Sequence, residues 1–530
     1  MKKIIAVITI CLSTGIVGLN AQNMYDANKL MGTDLTGTAR FVGMGGAMSA
    51  LGSDISTMGT NPAGIGIYRS NDAMVSFGFV NAGSKSTFED KVSDTDNLFG
   101  SFDNIGFVFS NKIGDLTALK YVNFGFNYRQ LKSFNKNLAT SGVFSVSQTQ
   151  QFANIVNANS ESYGGFLSPE VLMDRNAFEY PDVPWLGAMA YEANLIVPEG
   201  EEYLPYLFDD NLVAGKYNSK ERGRLDGADI NIAFNFYDRL YIGASLGAYS
   251  LDYTRNTSYS EDFYVPNYGA KNEYDGSYTL NNDYFLEGSG IDFKLGFILR
   301  PVETSSFRIG ASIHTPTWYQ LKERHFAWLD YDTYNVDKEK FLTGKTYPQN
   351  GDGIDMEGET EYRLTTPWKY NLSLGYTIGR NIALGAEYEY SDYSTAKLRY
   401  DNGLMMRDET DMMKTYMKGV HTIRAGAEIR LNPSFSFRMG YNHITPSISS
   451  DAYKEISVNA IRTDTEFSNG KKINNYTLGL GYRADTFYAD MTYLYNTYKE
   501  DFFAFDNLDL PATKVVNNNR KIAFTIGVRF

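Results

Sequence analysis

The stretch that decides the fold is "HTIRAGAEIRLNPSFSFRMGYNHI", residues 421–444. From Ile423 to Leu431, apolar residues alternate with charged residues and glycine. Residues 432–434, Asn-Pro-Ser, then make a tight connection to a second segment that starts at Phe435. Because side chains in a strand point alternately to opposite faces, this pattern gives one apolar and one polar face. The stretch therefore predicts a hairpin of two strands.

The same alternation recurs from residue 74 to the end of the chain. We count fourteen strand candidates: 74–81, 102–110, 119–132, 227–236, 240–253, 286–300, 306–321, 369–378, 382–399, 419–431, 435–447, 474–484, 487–500 and 520–530. Short connections, such as 237–239, 379–381 and 485–486, alternate with long ones, such as 82–101 and 133–226. Outer-membrane barrels have short periplasmic turns and long extracellular loops, whereas a sandwich has no reason to keep its long loops at one end.

The prediction is an all-β fold, a transmembrane antiparallel β-barrel of about 14 strands over residues 74–530. No run of about 18 apolar residues follows residue 22, so a chain that crosses a membrane must close its sheet to pair its backbone groups. The chain has 40 Tyr and 34 Phe, which fits strands and the aromatic girdles of such barrels. Its net charge of −13 argues against a nucleic-acid partner.

The amino terminus is predicted to be a signal peptide, residues 1–21, with Lys2 and Lys3 ahead of an apolar segment. The single cysteine, Cys11, lies inside it, so the mature chain has no disulfide and no cysteine-based metal site. The four histidines lack metal-ligand spacing. Gly43, Gly45 and Gly46 suggest a nucleotide-binding fingerprint, but the G-x-G-x-x-G pattern would need a glycine at position 48, which is Met. We therefore predict no catalytic residues, no metal and no cofactor, and not an enzyme.

Residues 37–68, "GTARFVGMGGAMSALGSDISTMGTNPAGIGIY", are too apolar for a linker and too short for a domain. They resemble the N-terminal hatch of the FadL family of outer-membrane long-chain fatty acid transporters, in its Bacteroidetes-type branch. Asn61-Pro62-Ala63-Gly64 carries most of this resemblance. Further similar stretches are 309–321, 371–394 and 423–448, although Tyr393 stands where the family favours Trp and Ile429 replaces an aromatic residue.

The resemblance implies that residues 22–73 form a hatch inside the barrel. It implies passive transport of long-chain fatty acids or similar hydrophobic molecules across the outer membrane of a Gram-negative bacterium. The ligand would be captured by outer loops, enter a pocket beside the hatch and leave sideways into membrane lipid. The hatch and substrate-path residues would be Gly45, Gly46, Asn61, Pro62, Ala63 and Gly64. The terminal Phe530 resembles a signal for the barrel assembly machinery.

Two features leave alternatives open. Residues 184–198 have the spacing of a short amphipathic helix, so Trp185, Leu186, Met189 and Tyr191 either capture ligand or fold a loop over the barrel mouth. The inward-facing charges either brace the wall or line a path: Asp292, Lys294, Arg300, Glu387, Glu389, Arg424, Glu428, Arg430, Arg438, Arg483, Asp490 and Arg529.

Two other functions compete with transport of hydrophobic molecules. The first is a surface-exposed binding receptor, for adhesion or for haemin capture through His325 in a predicted outer loop. The second is an open porin for hydrophilic solutes.

Overall fold

The computed structural model describes residues 24–162, 165–206, 212–265, 273–335, 338–456 and 460–530. The predicted signal peptide, residues 1–21, lies outside the described residues. Within these ranges fourteen antiparallel strands follow one another around the barrel wall. Four of them are interrupted, so each of these four has two ranges. They are β1 (Asp72–Phe88), β2 (Lys91–Lys112), β3 (Leu119–Ser133 and Lys136–Phe144), β4 (Leu212–Phe236), β5 (Leu240–Val265), β6 (Glu273–Leu299), β7 (Arg308–His314 and Trp318–Asn335), β8 (Gly358–Thr365 and Lys369–Ile378), β9 (Ile382–Asp392 and Lys397–Tyr400), β10 (Gly419–Arg430), β11 (Phe435–Ile444), β12 (Phe467–Arg483), β13 (Phe487–Phe503) and β14 (Thr513–Arg529).

The sheet closes on itself between its first and last strands. β1 pairs with β14 from Asp72 opposite Arg529 to Thr87 opposite Lys514. Closure leaves no edge strand, which is the condition for a sheet to span lipid. The predicted strand number and the antiparallel barrel are confirmed.

The wall has the two faces that the alternation predicts. Large apolar side chains on its outer face are exposed on every side of the barrel, among them Phe79, Phe297, Leu374, Leu478 and Ile526. The residues between them point inward, are mostly polar, and are buried by the contents of the lumen. No helix of the described residues is long and apolar enough to cross a membrane.

The prediction of a long loop at 82–101 is wrong. β1 and β2 continue through these residues as a paired hairpin, with residues 82–88 each opposite a residue of β2, up to a two-residue turn at Glu89 and Asp90. Glu89 adopts φ +47°, which suits such a tight hairpin. The apolar alternation fades in these outer parts of the strands, where outward-facing positions carry polar residues such as Lys85, Asp94 and Asp96, while the backbone pairing continues.

The loop that follows β3 is a folded cap. It contains α3 (Gln148–Ser162), α4 (Pro169–Leu172), α5 (Trp185–Glu192) and a hairpin of Ile196–Glu199 with Glu202–Pro205. Phe152, Val156, Leu186 and Met189 are fully buried in one apolar cluster with inward-facing side chains of the outer barrel, such as Phe263. The cap is therefore fixed to the wall by its own core.

The N-terminal segment, residues 24–71, lies within the barrel. It runs through α1 (Met24–Met31), α2 (Ala39–Gly43) and two 3-10 helices, Ile55–Gly59 and Pro62–Ile67, before β1. Local caps start three of these helices: the side chains of Thr38, Asp54 and Asn61 each accept a hydrogen bond from a following backbone N–H. Nearly all residues from 35 to 68 are buried. α6 (Arg407–Tyr416) belongs to the loop between β9 and β10, and its Met413 is buried in one apolar cluster with Met24, Leu30 and Met31 of α1.

Candidate functional site

Inward-facing glycines of the wall make room for the N-terminal segment. A Cβ at Gly440 would overlap the backbone nitrogen of Gly45, and one at Gly426 would overlap the carbonyl oxygen of Met44. Gly385 approaches the Ala47 carbonyl in the same way. These three glycines lie on β9, β10 and β11, side by side, so they form a shallow bed for the turn at residues 44–47. Sequence reasoning missed them, although glycine at inward positions of successive strands was the available signal.

The predicted hatch residues occupy the lower lumen, near the short turns. Gly45 (φ +62°) and Gly46 (φ +80°) have left-handed backbones. A Cβ at Gly45 would stand 2.7 Å from the backbone nitrogen of Tyr441, so glycine is required there on both counts. Asn61 donates from Nδ2 to the Phe297 carbonyl (3.1 Å), and the Pro62 carbonyl accepts from Asn231 Nδ2 (3.2 Å). Ala63 and Gly64 are buried beside them in the second 3-10 helix.

Polar wall residues hold the carbonyls of this segment from many directions. Thr492 Oγ1 donates to Ala39 (2.5 Å), Thr477 Oγ1 to Gly43 (3.1 Å) and Ser312 Oγ to Thr60 (2.6 Å). Asn123 Nδ2 donates to Ile65 (2.7 Å) from a fourth strand. A buried carbonyl that lost such a donor would carry a desolvation cost. The N-terminal segment is therefore held by hydrogen bonds from four different strands of the barrel wall.

A chain of buried charges joins the segment to the wall. Arg40 Nε lies 2.9 Å from Glu428 Oε2, Arg438 Nε lies 2.6 Å from the same oxygen, and Arg438 Nη1 lies 2.6 Å from Asp490 Oδ1. Elsewhere in the lumen Lys294 pairs with Asp229 and Asp292, and Arg424 with Glu387 and Glu389. These pairs favour the bracing interpretation of the inward charges, because the charges neutralise one another across neighbouring strands.

The larger of two adjoining cavities in the lumen lies beside α1. Its volume is about 370 Å³, and it is lined by α1, by the turn that follows it and by inward-facing side chains of the barrel. Lys132 Nζ donates to the Lys29 carbonyl (2.8 Å) and Lys369 Nζ to the Met31 carbonyl (3.3 Å), at the C-terminal end of α1. Cations at this end complement the helix dipole and its unsatisfied carbonyls.

A second cavity of about 90 Å³ continues below the first. Both cavities are lined by Met31, Asp34, Leu35 and Lys369, so they lie on either side of the turn after α1. The smaller one reaches Gly59 and Thr60 and the wall residues Thr315 and Thr366. None of the six predicted hatch residues is among the described residues that line the two cavities, so their part in a substrate path stays a prediction.

The predicted capture residues are placed in the cap. Trp185, Leu186 and Met189 are buried on α5, and Tyr191 is half-buried against the same cluster. Trp185 Nε1 donates to the Phe178 carbonyl (2.9 Å). These contacts fix the cap over the barrel mouth, and a role of the four residues in ligand capture stays a prediction.

His325 does not lie in an outer loop as predicted. It belongs to β7, is 4% exposed, and its Nε2 lies 2.8 Å from the Ile461 carbonyl. The loop prediction failed because residues 322–335 alternate without an apolar face. Since the ring is buried under residues 460–466, it is not placed to ligate haemin from outside.

No protein-family model and no curated protein matches the sequence. Among solved structures, a FadL homologue of Pseudomonas aeruginosa superposes with a TM-score of 0.52 at 12% identity, covering 94% of this chain and 99% of the other. The chain has the FadL fold. Two further barrels, the Pseudomonas putida toluene transporter TodX and the monoaromatic hydrocarbon channel CymD, superpose more loosely. Their TM-scores are both 0.45, at 12% and 11% identity, each over 93% of this chain and over 99% and 97% of theirs. The FadL fold is that of an outer-membrane barrel, and the exposed apolar belt agrees with it.

The glycine bed of this FadL-like barrel gives a first prediction. Gly440→Val should lower the free energy of unfolding by about 1–3 kcal/mol, because extra methyl groups would overlap the Gly45 backbone. Urea unfolding of the refolded protein measures this free energy. The folded fraction is read from the heat-modifiable electrophoretic mobility of the barrel. Gly470→Val is the matched control, since a Cβ at Gly470 of β12 meets nothing within 4 Å. Equal unfolding midpoints for the two variants would contradict the tight contact.

Proposed function

We propose that this chain carries hydrophobic or amphiphilic molecules passively across the outer membrane, with long-chain fatty acids as first candidates. The observation that carries the proposal is the lumen itself. An open porin would leave a water-filled path, whereas here residues 35–68 are packed across the lower lumen and two cavities lie above them, beside α1 and the turn that follows it. The FadL fold, shared with a protein described as a FadL homologue, supports the same substrate class. The outer loops would deliver ligand, and the cavities would hold it.

The packing of the N-terminal segment supports a sideways exit. Ligand in the smaller cavity would meet Gly59 and Thr60, whose backbone is fastened to β7 by Ser312, so a path straight down requires those bonds to break. An apolar molecule that enters the membrane sideways avoids both this barrier and the water of the periplasm. The proposed exit therefore lies in the wall beside the smaller cavity.

Interruptions of three neighbouring strands support a position for this exit. β7 breaks at residues 315–317, β8 at 366–368 and β9 at 393–396, all at one level of the wall. Pro316 and Pro367 cannot donate to the ladder. Threonine side chains replace part of it: Thr317 N–H donates to Thr366 Oγ1 at 2.8 Å.

A lateral passage must connect the lumen with membrane lipid, and the interrupted part of the wall has one side that lines a cavity and one side that faces lipid. Thr315, Thr317 and Thr366 line the smaller cavity. On the outside, Trp318 and Trp368 are each 45% exposed, at the side that faces lipid. Indole rings favour the membrane interface, so these two mark the level at which a ligand would enter the membrane.

Uptake by protein-containing liposomes tests the function. Labelled oleate should enter vesicles with the inserted barrel faster than vesicles with barrel-free membranes, with no requirement for an energy source. A deletion strain should take up oleate more slowly, and the intact gene should restore uptake. A surface receptor without transport predicts oleate or haemin binding but unchanged entry, and that result would overturn the proposal.

A disulfide across the interrupted wall tests the exit. Thr317 and Thr366 lie in the interruptions of β7 and β8, next to the paired residues Trp318 and Thr365. They are hydrogen-bonded to each other, are buried and line the smaller cavity. In the variant Thr317→Cys/Thr366→Cys, oxidation should reduce oleate uptake to the background level, and dithiothreitol should restore it. The single native cysteine, Cys11, lies in the predicted signal peptide.

The matched control for this disulfide is Leu480→Cys/Met491→Cys. These residues are paired on β12 and β13, on another part of the wall, and face lipid. The oxidised control should transport like the wild type. Transport that persists through the oxidised Thr317–Thr366 pair would place the exit elsewhere.

A further inference from the structure

An asparagine ladder runs along the two cavities: Asn475, Asn496 and Asn519 line the larger one, and Asn442 lines the smaller one. Asn475 Nδ2 donates to Asn442 Oδ1 (3.4 Å), Asn496 Nδ2 to Asn475 Oδ1 (2.9 Å) and Asn519 Nδ2 to Asn496 Oδ1 (3.2 Å). The four residues lie on the successive strands β11, β12, β13 and β14 and face the lumen. The ladder therefore forms a continuous band of carboxamides across four strands.

The ladder leaves hydrogen-bonding capacity for a ligand. A carboxamide has two N–H donors and an oxygen with two lone pairs. Within the ladder, Asn496 uses one N–H and one lone pair. Asn496 and Asn519 are half-buried and line the larger cavity. Asn475 also lines it but is buried, and Asn442 is buried beside the smaller cavity. The two half-buried residues thus present both donors and acceptors to the cavity.

Most cations of this cavity already have carboxylate partners. Lys136 pairs with Glu500, Arg424 with Glu389, and Arg255 with Glu466. Lys132 and Lys369 each donate one of their three N–H groups to a carbonyl at the end of α1. A ligand carboxylate would have to share these two lysines with the α1 carbonyls or displace a paired carboxylate, whereas an uncharged polar group could use the unfilled donors and acceptors of the ladder.

The cavity also has apolar walls. Met31, Leu35, Phe134, Ile444 and Phe467 line it together with three residues of the ladder. A plain hydrocarbon would bury the carboxamides without giving them a partner, which costs free energy. A plain polar solute would leave these apolar side chains without contacts. A chain with an uncharged polar group satisfies both surfaces.

We propose that the larger cavity selects acyl amphiphiles whose polar part is uncharged and carries both a donor and an acceptor, such as an acyl amide, with the asparagine ladder as the determinant. This inference rests on the proposed function and specifies its ligand class. The amide N–H and carbonyl of the ligand bond Asn496 and Asn519. The acyl chain lies along the apolar side chains of the same cavity.

Three probes with matched eighteen-carbon chains test the selectivity: oleoyl ethanolamide, oleate and 9-octadecene. Equilibrium dialysis of the full mature protein in nanodiscs, against empty nanodiscs, measures each affinity. The wild type should bind oleoyl ethanolamide most tightly and octadecene least. Asn496→Leu should weaken binding of oleoyl ethanolamide about tenfold, the size of one lost hydrogen bond, and should leave octadecene binding equal or tighter.

Asn518→Leu is the matched control, because Asn518 alternates with Asn517 and Asn519 on β14 and does not line the cavity. If Asn496→Leu fails to show the heat-modifiable electrophoretic mobility of a folded barrel, Asn519→Leu is used in the same binding measurement. Unchanged binding of oleoyl ethanolamide by both ladder variants, with oleate still transported, would overturn this inference and leave the proposed function standing. A wild type that binds and transports none of the three would overturn both.

Discussion

Removing residues 24–68 behind the predicted signal peptide is expected to convert the barrel into a steadily conducting pore. The wall does not need these residues to close, because β1 pairs with β14 over sixteen residue pairs, from Asp72 to Thr87. A barrel of fourteen strands is too wide for its own side chains to fill. Glu428, which now pairs with Arg40 of the segment, and the wall pair of Arg438 and Asp490 beside it would instead attract water and ions.

Planar-bilayer recording measures this effect. The full-length protein should show little steady current, and the deletion variant a stable open current at every voltage. A variant with residues 338–345 replaced by a short Gly-Ser linker is the control. It removes most of an outer strand (Lys340–Thr346) but keeps Thr346, which donates to Glu192 of the cap. A folded deletion variant that stays silent would mean that the cap, and not the N-terminal segment, blocks the barrel.

The barrel itself was predictable because its signals are local. Alternation along 423–431 and the turn at 432–434 decide one hairpin without reference to the rest of the chain, and the alternating loop lengths decide the class. The outer parts of the strands were less predictable. At Lys85 or His325 the apolar face has ended while the backbone pairing continues, so the polar sequence reads as loop.

The site was only partly predictable, because it depends on contacts between distant residues. The sequence indicates that Asn61 and Gly45 belong to a compact segment, but not which wall strands receive them. The inward position of Gly440 follows from alternation, whereas its contact with Gly45 requires the three-dimensional structure. The asparagine ladder has the same character: residues 442, 475, 496 and 519 are neighbours only once four strands are in register.

The loop between β11 and β12 turns inward and carries a buried charge cluster that holds α1. Residues 460–466 are all buried. Arg462 Nη1 lies 2.6 Å from Asp26 Oδ2 on α1, and its Nη2 lies 2.7 Å from Asp464 Oδ2. Lys454 Nζ lies 2.7 Å from the same Asp464 oxygen. Arg462 thus joins the inward loop to the start of the N-terminal segment.

Arg462→Met is expected to lower the free energy of unfolding by about 3–5 kcal/mol, because it leaves the buried Asp26 and Asp464 without their shared partner. Urea unfolding of the refolded protein at pH 7 measures the loss. Lys322→Met is the control: this half-exposed lysine pairs with Glu359 near the surface, where such pairs contribute about 0–1 kcal/mol. The double variant Asp26→Asn/Arg462→Met should lose less than the sum of the two single losses, since the same pair is broken only once.

The pH dependence of this variant separates a charge effect from a packing effect. Burial raises the pKa of Asp26, but the charges of Arg462 and Lys29 outweigh burial and lower it to about 2. In the wild type this contribution to stability is present above the unfolded value of 3.8 and is lost as the pH falls through about 2. Without Arg462, burial of Asp26 is opposed only by the charges of Lys29 and Arg255, so we expect its pKa to lie higher than in the wild type and the carboxyl to take up a proton at higher pH. The difference in stability between wild type and Arg462→Met should therefore shrink as the pH falls from 7 towards 3, whereas a loss due to packing alone would stay constant.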